Sequence, residues 1–226
     1  SAQETAAASQ TIASYTGTDS DIAIITAGDQ NHTVIFTGAV TTGAVTGTIV
    51  IDGDAGDATA TLVQVGGNLT GVVTLDDNSG AVTLEMTGDS TTLGQTVNGV
   101  GDGEGILKLS GTGTTVSSAI GKTGTNSLAA IDVNGTATFD GASEATAYTV
   151  DADTTFTGAV LANTSFTVDT AGTDVTLSAA SDLSLATVTL GTLTANGLLT
   201  TSDLVNTAGK VYLNVKDNEM GAGTLT

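Results

Sequence analysis

Residues 101–141, GDGEGILKLSGTGTTVSSAIGKTGTNSLAAIDVNGTATFDG, contain the pattern that decides the fold. Short apolar runs at Ile106–Leu109 and Leu128–Val133, and a third run ending at Phe139, are separated by clusters of Gly, Thr, Ser and Asn. Short alternating runs bounded by such clusters are typical of β-strands. The Asn-Gly dipeptide at Asn134 is among the strongest local turn signals. The stretch therefore predicts a succession of short strands joined by tight turns.

The same unit of strand and turn recurs along the rest of the chain. The pentapeptide FTGAV at 36–40 returns unchanged at 156–160, and alternating runs of Val, Leu, Ile, Phe and Thr follow one another throughout. Near-periodic strands with loops of varying length predict an all-β fold, a β-solenoid or β-helix-like stack in which each coil adds a row of side chains to the core. The alternative is a Gly/Thr-rich β-sandwich, whose strands recur at a similar spacing.

The composition favours the solenoid over the sandwich. Hydrophobic residues make up 39% of the chain, but aromatic residues only 3%. A core of Val, Leu, Ile, Ala and Thr is thin, which suits a narrow stack of strands. Threonine, which is abundant, is β-branched and favours an extended backbone. Proline, which would remove a hydrogen-bond donor from a strand paired on both sides, does not occur.

The charge balance excludes several classes of partner. There are 24 acidic residues against four basic ones, a formal net charge of −20. Such a chain repels phosphate backbones, so we expect no nucleic-acid binding. No apolar run approaches the length of a membrane span, so we expect no membrane insertion. Cysteine-free, acidic, Thr- and Gly-rich β chains are typical of exported bacterial surface proteins, which predicts a secreted, extracellular or cell-surface location.

We expect two parts of unequal size. Residues 1–20 include the only stretch whose composition suits a helix, but an isolated helix of this length is marginal, so we predict an N-terminal arm or cap. Residues 21–226 are predicted to form one all-β repeat domain. The sequence GAGTLT at 221–226 has the pattern of a coil that is just beginning. Either the repeat continues beyond Thr226, or this end is an assembly surface with unpaired strand edges.

Clusters of acidic residues in the turns suggest Ca²⁺ as the only cofactor. The best candidate is the D-x-D-x-x-D turn formed by Asp52, Asp54 and Asp57, and a second candidate is the pair Asp102 and Glu104. Calcium takes its oxygen ligands from carboxylates and carbonyls, and Gly-rich turns let carbonyls converge on it. Because Asp is also a common turn residue, the alternative interpretation is that these carboxylates are solvated turn residues.

Nothing in the sequence requires catalysis. His32 is the only histidine and is expected at the surface in a polar loop, without the partners of a triad or a His-based metal site. Paired carboxylates serve glycoside cleavage, but such sites usually include aromatic platforms and basic partners, and this chain has neither Trp nor Arg. A phosphate loop ending at Lys122 lacks its leading glycine. We therefore predict that the protein is not an enzyme.

The sequence of residues 101–141 resembles the passenger regions of rickettsial-type surface-antigen autotransporters. Those regions repeat phrases of the kind GxGxLxLxGxTTT and IGxxGxNSLAAIxVNGxxTF, and the GAGTLT at 221–226 is similar to openings of their repeats. More loosely, the composition of the chain, which is rich in Thr, Ala, Gly and Asp, resembles that of the crystalline surface-layer (S-layer) proteins of alphaproteobacteria. The resemblance implies an exported β-solenoid displayed at the cell surface, where it acts as an adhesin or a protective coat.

These observations predict a structural protein that assembles with copies of itself into a layer or filament. The N-terminal segment 1–14 or the strand at 210–215 would add to a neighbour's sheet, with Ca²⁺ bridging carboxylates of the acidic surface. The alternative, from another class, is an adhesin or receptor-binding module of a cell surface or phage fibre. That module would recognise a cell-surface glycan or a host protein.

Overall fold

The structure is a computed structural model that describes residues 2–6, 9–17, 22–26, 31–42, 47–53, 60–77, 80–121, 124–214 and 224–225. These residues form twenty-six β-strands and no helix. All of the strands pair in parallel, whereas the sheets of a sandwich of this size are antiparallel. The predicted all-β solenoid is therefore confirmed, and the β-sandwich alternative is wrong. Across the same described ranges, no helix has the length and apolar character needed to cross a bilayer.

The strands are distributed over three sheets that run side by side along the molecule. The first sheet has five strands: β1 (Ala2–Ala6), β4 (Ile22–Thr26), β7 (Thr48–Asp52), β10 (Val72–Asp76) and β13 (Val97–Gly99). The second sheet has eleven: β2 (Gln10–Ile12), β5 (His32–Phe36), β8 (Thr61–Val65), β11 (Val82–Met86), β14 (Ile106–Leu109), β16 (Leu128–Val133), β18 (Ser143–Val150), β20 (Val160–Val168), β22 (Ser181–Val188), β24 (Leu199–Asn206) and β26 (Thr224–Leu225).

The third sheet closes each coil and has ten strands. They are β3 (Tyr15–Thr16), β6 (Val40–Thr41), β9 (Leu69–Thr70), β12 (Thr92–Leu93), β15 (Thr114–Val116), β17 (Ala137–Phe139), β19 (Thr154–Phe156), β21 (Asp174–Leu177), β23 (Thr192–Ala195) and β25 (Lys210–Leu213). Residues paired on neighbouring coils lie between 17 positions apart, as for Ala130 and Ala147, and 29 positions apart, as for His32 and Thr61. This spread explains why the sequence shows no strict repeat.

The coils change shape along the molecule. After β13 the first face continues only through single bridges, in which Ile120 pairs with Val97 on one side and with Ser143 on the other. From β18 onward one long strand serves both the first and the second face, and its register shifts between Ala145 and Ala147 where it bends. The C-terminal coils are therefore built from one long bent strand and one short strand, with fewer residues between the first two faces.

The core is a set of side-chain columns that run along the stacking axis. Alternate residues of each strand point inward, and the register places each inward residue on its counterpart in the next coil. The central column of the second sheet consists of Val34, Val63, Leu84, Leu107, Ile131, Tyr148, Phe166, Ala186 and Leu204. All of its members are buried, so this column accounts for the alternation seen in the sequence.

The outer surface of the third sheet carries a matching polar column. Its members are threonines on six successive coils: Thr92, Thr115, Thr138, Thr155, Thr176 and Thr194. Threonine pairs on neighbouring strands stabilise a sheet, and the branched side chain suits the extended backbone. The high threonine content of the chain is thus explained in part by strand faces that meet solvent.

Both ends of the described chain are in strands. The alanine-rich N-terminal segment has a composition that suits a helix, but β1, β2 and β3 pair with β4, β5 and β6 to form the first coil. Strand pairing here outweighs intrinsic helix propensity, although Ala is the strongest helix former, because tertiary context overrides propensity. At the other end, β26 pairs with β24, with Leu225 opposite Leu204.

Candidate functional site

The corner between the first and second sheets carries the residues that the sequence singled out for Ca²⁺. Asp52 is the last residue of β7, and its partner on the next coil is Asp76, the last residue of β10. Neighbouring parallel strands are about 4.8 Å apart, so two carboxylates leave the sheet side by side. Asp54 and Asp57, the other members of the predicted turn, lie outside the described residues.

The second predicted pair, Asp102 and Glu104, lies two coils further along the same corner. Asp102 Oδ1 accepts hydrogen bonds from the backbone N–H (3.1 Å) and the hydroxyl (3.3 Å) of Ser127 in the next coil. Glu104 Oε2 accepts a hydrogen bond from Gly101 N–H at 3.1 Å. Both carboxylates therefore hold the backbone of turns.

Another carboxylate of this corner, Asp77, was not among the predicted Ca²⁺ ligands. Its Oδ1 accepts from Val82 N–H at 2.8 Å, and its Oδ2 accepts from Gly105 N–H of the next coil at 2.9 Å. Asp77 thus ties the start of β11 to the turn before β14. The sequence signal was an Asp in a turn, which does not reveal that one partner lies on another coil.

The described part of the acidic corner holds no ready-made metal centre. No group of three or more His, Cys, Asp or Glu side chains that could hold a metal ion occurs among the described residues. Calcium needs about six to eight oxygens at about 2.3–2.6 Å. In the described part of this corner, Asp52 and Asp76 occupy paired positions on neighbouring strands, where like charges repel. A divalent cation there would reduce this repulsion.

The outer face of the second sheet contains a buried carboxylate that sequence reasoning did not identify. Glu85 is only 7% exposed. Its Oε2 accepts a hydrogen bond from Gln64 Nε2 at 2.7 Å, its Oε1 accepts from the Ser110 hydroxyl, and Lys108 Nζ lies 3.5 Å away. Burial by itself raises the pKa of Glu85, but these hydrogen bonds and the Lys108 charge outweigh it and hold the pKa below its usual value. The cluster joins three coils.

His32, which we expected at the surface, is buried. It is the first residue of β5, it points inward with Val34 and Phe36, and it is only 4% exposed. Neither ring nitrogen has a hydrogen-bond partner among the described residues. The prediction of a surface position was wrong. The residues before the strand are polar, so the sequence does not show that His32 already belongs to the alternating pattern of inward-facing residues.

A groove of about 390 Å³ opens on the first face of the C-terminal coils. It runs across β18, β20, β22 and β24, because each of these strands contributes its first residues to the lining. The lining includes the apolar residues Ala142, Ala159, Leu161, Ala180 and Leu198 and the carboxylates Glu144 and Asp182. Its size falls in the range of small-molecule sites. No motif of the sequence pointed to this groove.

An aromatic cluster in the core is joined to the groove lining by one hydrogen bond. The Tyr148 hydroxyl donates a hydrogen bond to the Oγ of the groove-lining residue Ser143 at 3.1 Å, and burial raises the pKa of Tyr148. The Tyr148 ring lies 5.4 Å from Phe166 and 6.2 Å from Phe156, and Phe156 stacks on Phe139 at 4.7 Å. The chain has four phenylalanines, and three of them belong to this cluster.

The geometry defines the protein as a three-sided parallel β-solenoid with an acidic corner and a first-face groove. Comparison of the chain with protein-family models, with curated proteins and with solved structures found no match in any of the three. The interpretation of function therefore depends on the residues themselves.

Proposed function

We propose that the protein is a structural, non-enzymatic component of the bacterial cell surface that assembles with copies of itself into a filament or layer. The observation that supports this proposal is the unbroken parallel stacking of the second and third sheets along the described chain. Parallel sheets of this kind present strand edges with unpaired N–H and C=O groups, which pair readily with another chain. In the third sheet, the outermost described strands are β3 and β25.

Strand β25 has the properties of an assembly edge. Lys210 and Asn214 donate their N–H groups back to Gly191 and Ala195 of the preceding coil. Backbone groups of successive residues in a strand point to opposite sides, so those of Val211 point away from that coil. Tyr212 is 50% exposed beside them. A first coil of a second copy would continue the sheet, and such a head-to-tail contact generates filaments instead of closed dimers.

Calcium would promote this assembly by acting on charge. A chain of net charge −20 repels its own copies. The paired carboxylates of Asp52 and Asp76 give a divalent cation a local binding point on the acidic corner. Calcium bound there and at neighbouring carboxylates lowers the repulsion between copies. We therefore expect assembly to depend on Ca²⁺ more strongly than on the same ionic strength of NaCl.

The test combines negative-stain microscopy with a substitution at the edge. In Val211→Pro, the outward N–H is lost while the bonds of Lys210 and Asn214 to the previous coil remain, and proline is tolerated on edge strands. Val211→Ala keeps the N–H and serves as the control. We expect filaments or sheets with Ca²⁺ for the native chain and Val211→Ala, and folded single rods for Val211→Pro.

Two outcomes would contradict the proposal. Filaments formed equally well by Val211→Pro would exclude this edge as the assembly surface. Isolated rods of the native chain both with Ca²⁺ and with chelator would favour the alternative function, an adhesin or receptor-binding module that recognises a glycan or a host protein.

A further inference from the structure

The first-face groove contains a regular row of outward side chains. The register pairs Glu144 with Leu161, Leu161 with Asp182, and Asp182 with Thr200 on successive coils. All four residues line the groove. With neighbouring strands about 4.8 Å apart, the backbone positions of Glu144 and Asp182 are separated by two coil steps, about 9.5 Å, with the leucine between them. Along its axis the groove therefore presents a negative charge at Glu144, an apolar surface at Leu161 and a second negative charge at Asp182.

One of these carboxylates is held in place. Glu144 is 4% exposed. Its Oε1 accepts a hydrogen bond from Asn163 Nδ2 at 3.1 Å, and its Oε2 accepts from Gly124 N–H at 3.2 Å. Neither donor is a cation, and the groove-lining residues that the structure describes include no lysine. A buried carboxylate is costly unless it is paired with an opposite charge, so a cationic ligand would complete this site.

Apart from Ser143 and Ser181, the rest of the described lining is apolar, and it contains no aromatic ring. Ala142, Ala159 and Ala180 line the groove on successive coils, and Leu198, which is 41% exposed, lies at one end. Without an aromatic platform the groove has nothing on which a sugar ring would stack. An anionic ligand is disfavoured by Glu144 and Asp182. A single metal ion is disfavoured because the two acidic residues leave the sheet at positions about 9.5 Å apart, whereas calcium–oxygen distances are only about 2.3–2.6 Å.

We propose that the first-face groove binds a linear aliphatic diamine or polyamine. One ammonium group pairs with Glu144 and another with Asp182, while the methylene chain between them covers Leu161 and the adjacent alanines. Ammonium–carboxylate contacts of about 2.8 Å at sites about 9.5 Å apart place the two nitrogens roughly 4 to 9 Å from each other. A chain of about four methylenes spans this distance. This inference does not depend on self-assembly, since β25 and the groove are separate surfaces.

The test is isothermal titration of the full chain with 1,4-diaminobutane at about 0.15 M salt, which screens long-range attraction. The matched ligand is 1-aminobutane, which has the same carbon chain and one ammonium group. We expect the diamine to bind at least about tenfold more tightly than the monoamine. Asp182→Asn should reduce the affinity for the diamine to that for the monoamine.

Two further variants separate this site from general attraction to an acidic protein. Asp174→Asn makes the same charge change at an exposed position of β21, outside the groove, and should leave diamine binding unchanged. Glu144→Gln should weaken binding as Asp182→Asn does, and circular dichroism shows whether it still folds. Because Asp182 is exposed, its substitution gives a valid result even if Glu144→Gln does not fold. Equal diamine affinity of the native chain, Asp182→Asn and Asp174→Asn would overturn the proposal.

Discussion

At the scale of single residues, the acidic side chains of this protein have two structural roles: some accept hydrogen bonds from the backbone of turns, and one accepts them from side chains within a sheet. Those in turns accept hydrogen bonds from the backbone of the next coil, as Asp89 does from Thr112 N–H and Asp153 does from Asp174 N–H, each at 2.8 Å. Glu85 instead lies within a strand and collects side-chain donors from two neighbouring coils. Sequence reasoning identifies Asp as a turn residue. It does not identify the donors in these examples, because each is more than 20 positions away in the chain.

The Glu85 cluster makes the stability of the solenoid pH-dependent. The pKa of folded Glu85 is lowered, so its stabilising effect is fully present above the pKa of unfolded Glu, about 4.3. This effect is lost as the pH falls through the lower pKa of the folded state. We expect Glu85→Gln to reduce the free energy of unfolding at pH 7 by about 1–2 kcal/mol, because the hydrogen bonds to a charged acceptor are weakened.

Urea denaturation at several pH values checks this prediction. The difference between the native chain and Glu85→Gln should shrink as the pH falls below the pKa of unfolded Glu, because the unfolded chain then binds a proton more readily than folded Glu85 does. Asp174→Asn is the control, since a substitution at an exposed site changes stability by no more than about 0.5 kcal/mol. A difference that stays constant from pH 7 to pH 3 would show that the carboxylate charge of Glu85 is not what stabilises the cluster.

At the scale of elements, the strands were predictable but their places in the coil were not. The runs Ile106–Leu109 and Leu128–Val133 are strands with the expected bounds. The repeated FTGAV, however, occupies two different corners. At 36–40 it joins β5 of the second sheet to β6 of the third, whereas at 156–160 it joins β19 of the third sheet to β20 at the start of the first face. A pattern of period two reports which residues face inward, but not which face a strand belongs to.

The turns between the second and third sheets depend on glycine for a steric reason. A Cβ at Gly111 would lie 2.0 Å from the carbonyl oxygen of Gly88 on the previous coil, and one at Gly135 would lie 2.2 Å from that of Gly111. Neither contact can be relieved by rotating a side chain, since the obstacle is backbone. The stacking of coils therefore fixes these positions as glycine, a requirement that no single turn considered alone would predict.

This geometry gives a prediction for Gly111→Ala. The added methyl must push adjacent coils apart at this corner, so we expect a loss of about 1–3 kcal/mol in the free energy of unfolding, as is typical of overpacking. Gly94→Ala is the matched control, because its Cβ would meet nothing closer than 3.4 Å. Thermal and urea denaturation of the two variants measure the effect. Equal stability of both variants would mean that adjacent coils can move apart at this corner without a loss in the free energy of unfolding.

At the scale of the whole molecule, coils contact mainly their neighbours, so stability is a sum of coil and interface contributions. The composition predicted a thin aliphatic core, and most of the columns have that character. The exception is the concentration of aromatic rings on β17–β20, where Phe156 contacts Phe139, Tyr148 and Phe166. Sequence alone gave no reason to place these residues together, because they come from three coils of unequal length. We expect these coils to be the most stable segment of the stack.

A comparison of two phenylalanines tests this expectation. Phe156 has three ring neighbours, and aromatic pairs contribute about 0.5–1.5 kcal/mol each beyond their buried area. Phe36 is equally buried in the core, but it has no ring neighbour among the described residues. We expect Phe156→Leu to lower the free energy of unfolding by about 2–3 kcal/mol and Phe36→Leu by about 1 kcal/mol. Hydrogen exchange should show the loss of protection centred on β18 to β20 in the first variant and on β5 in the second. Equal losses from the two substitutions would mean that the rings contribute only their buried area, and the C-terminal coils would then have no special role in holding the solenoid together.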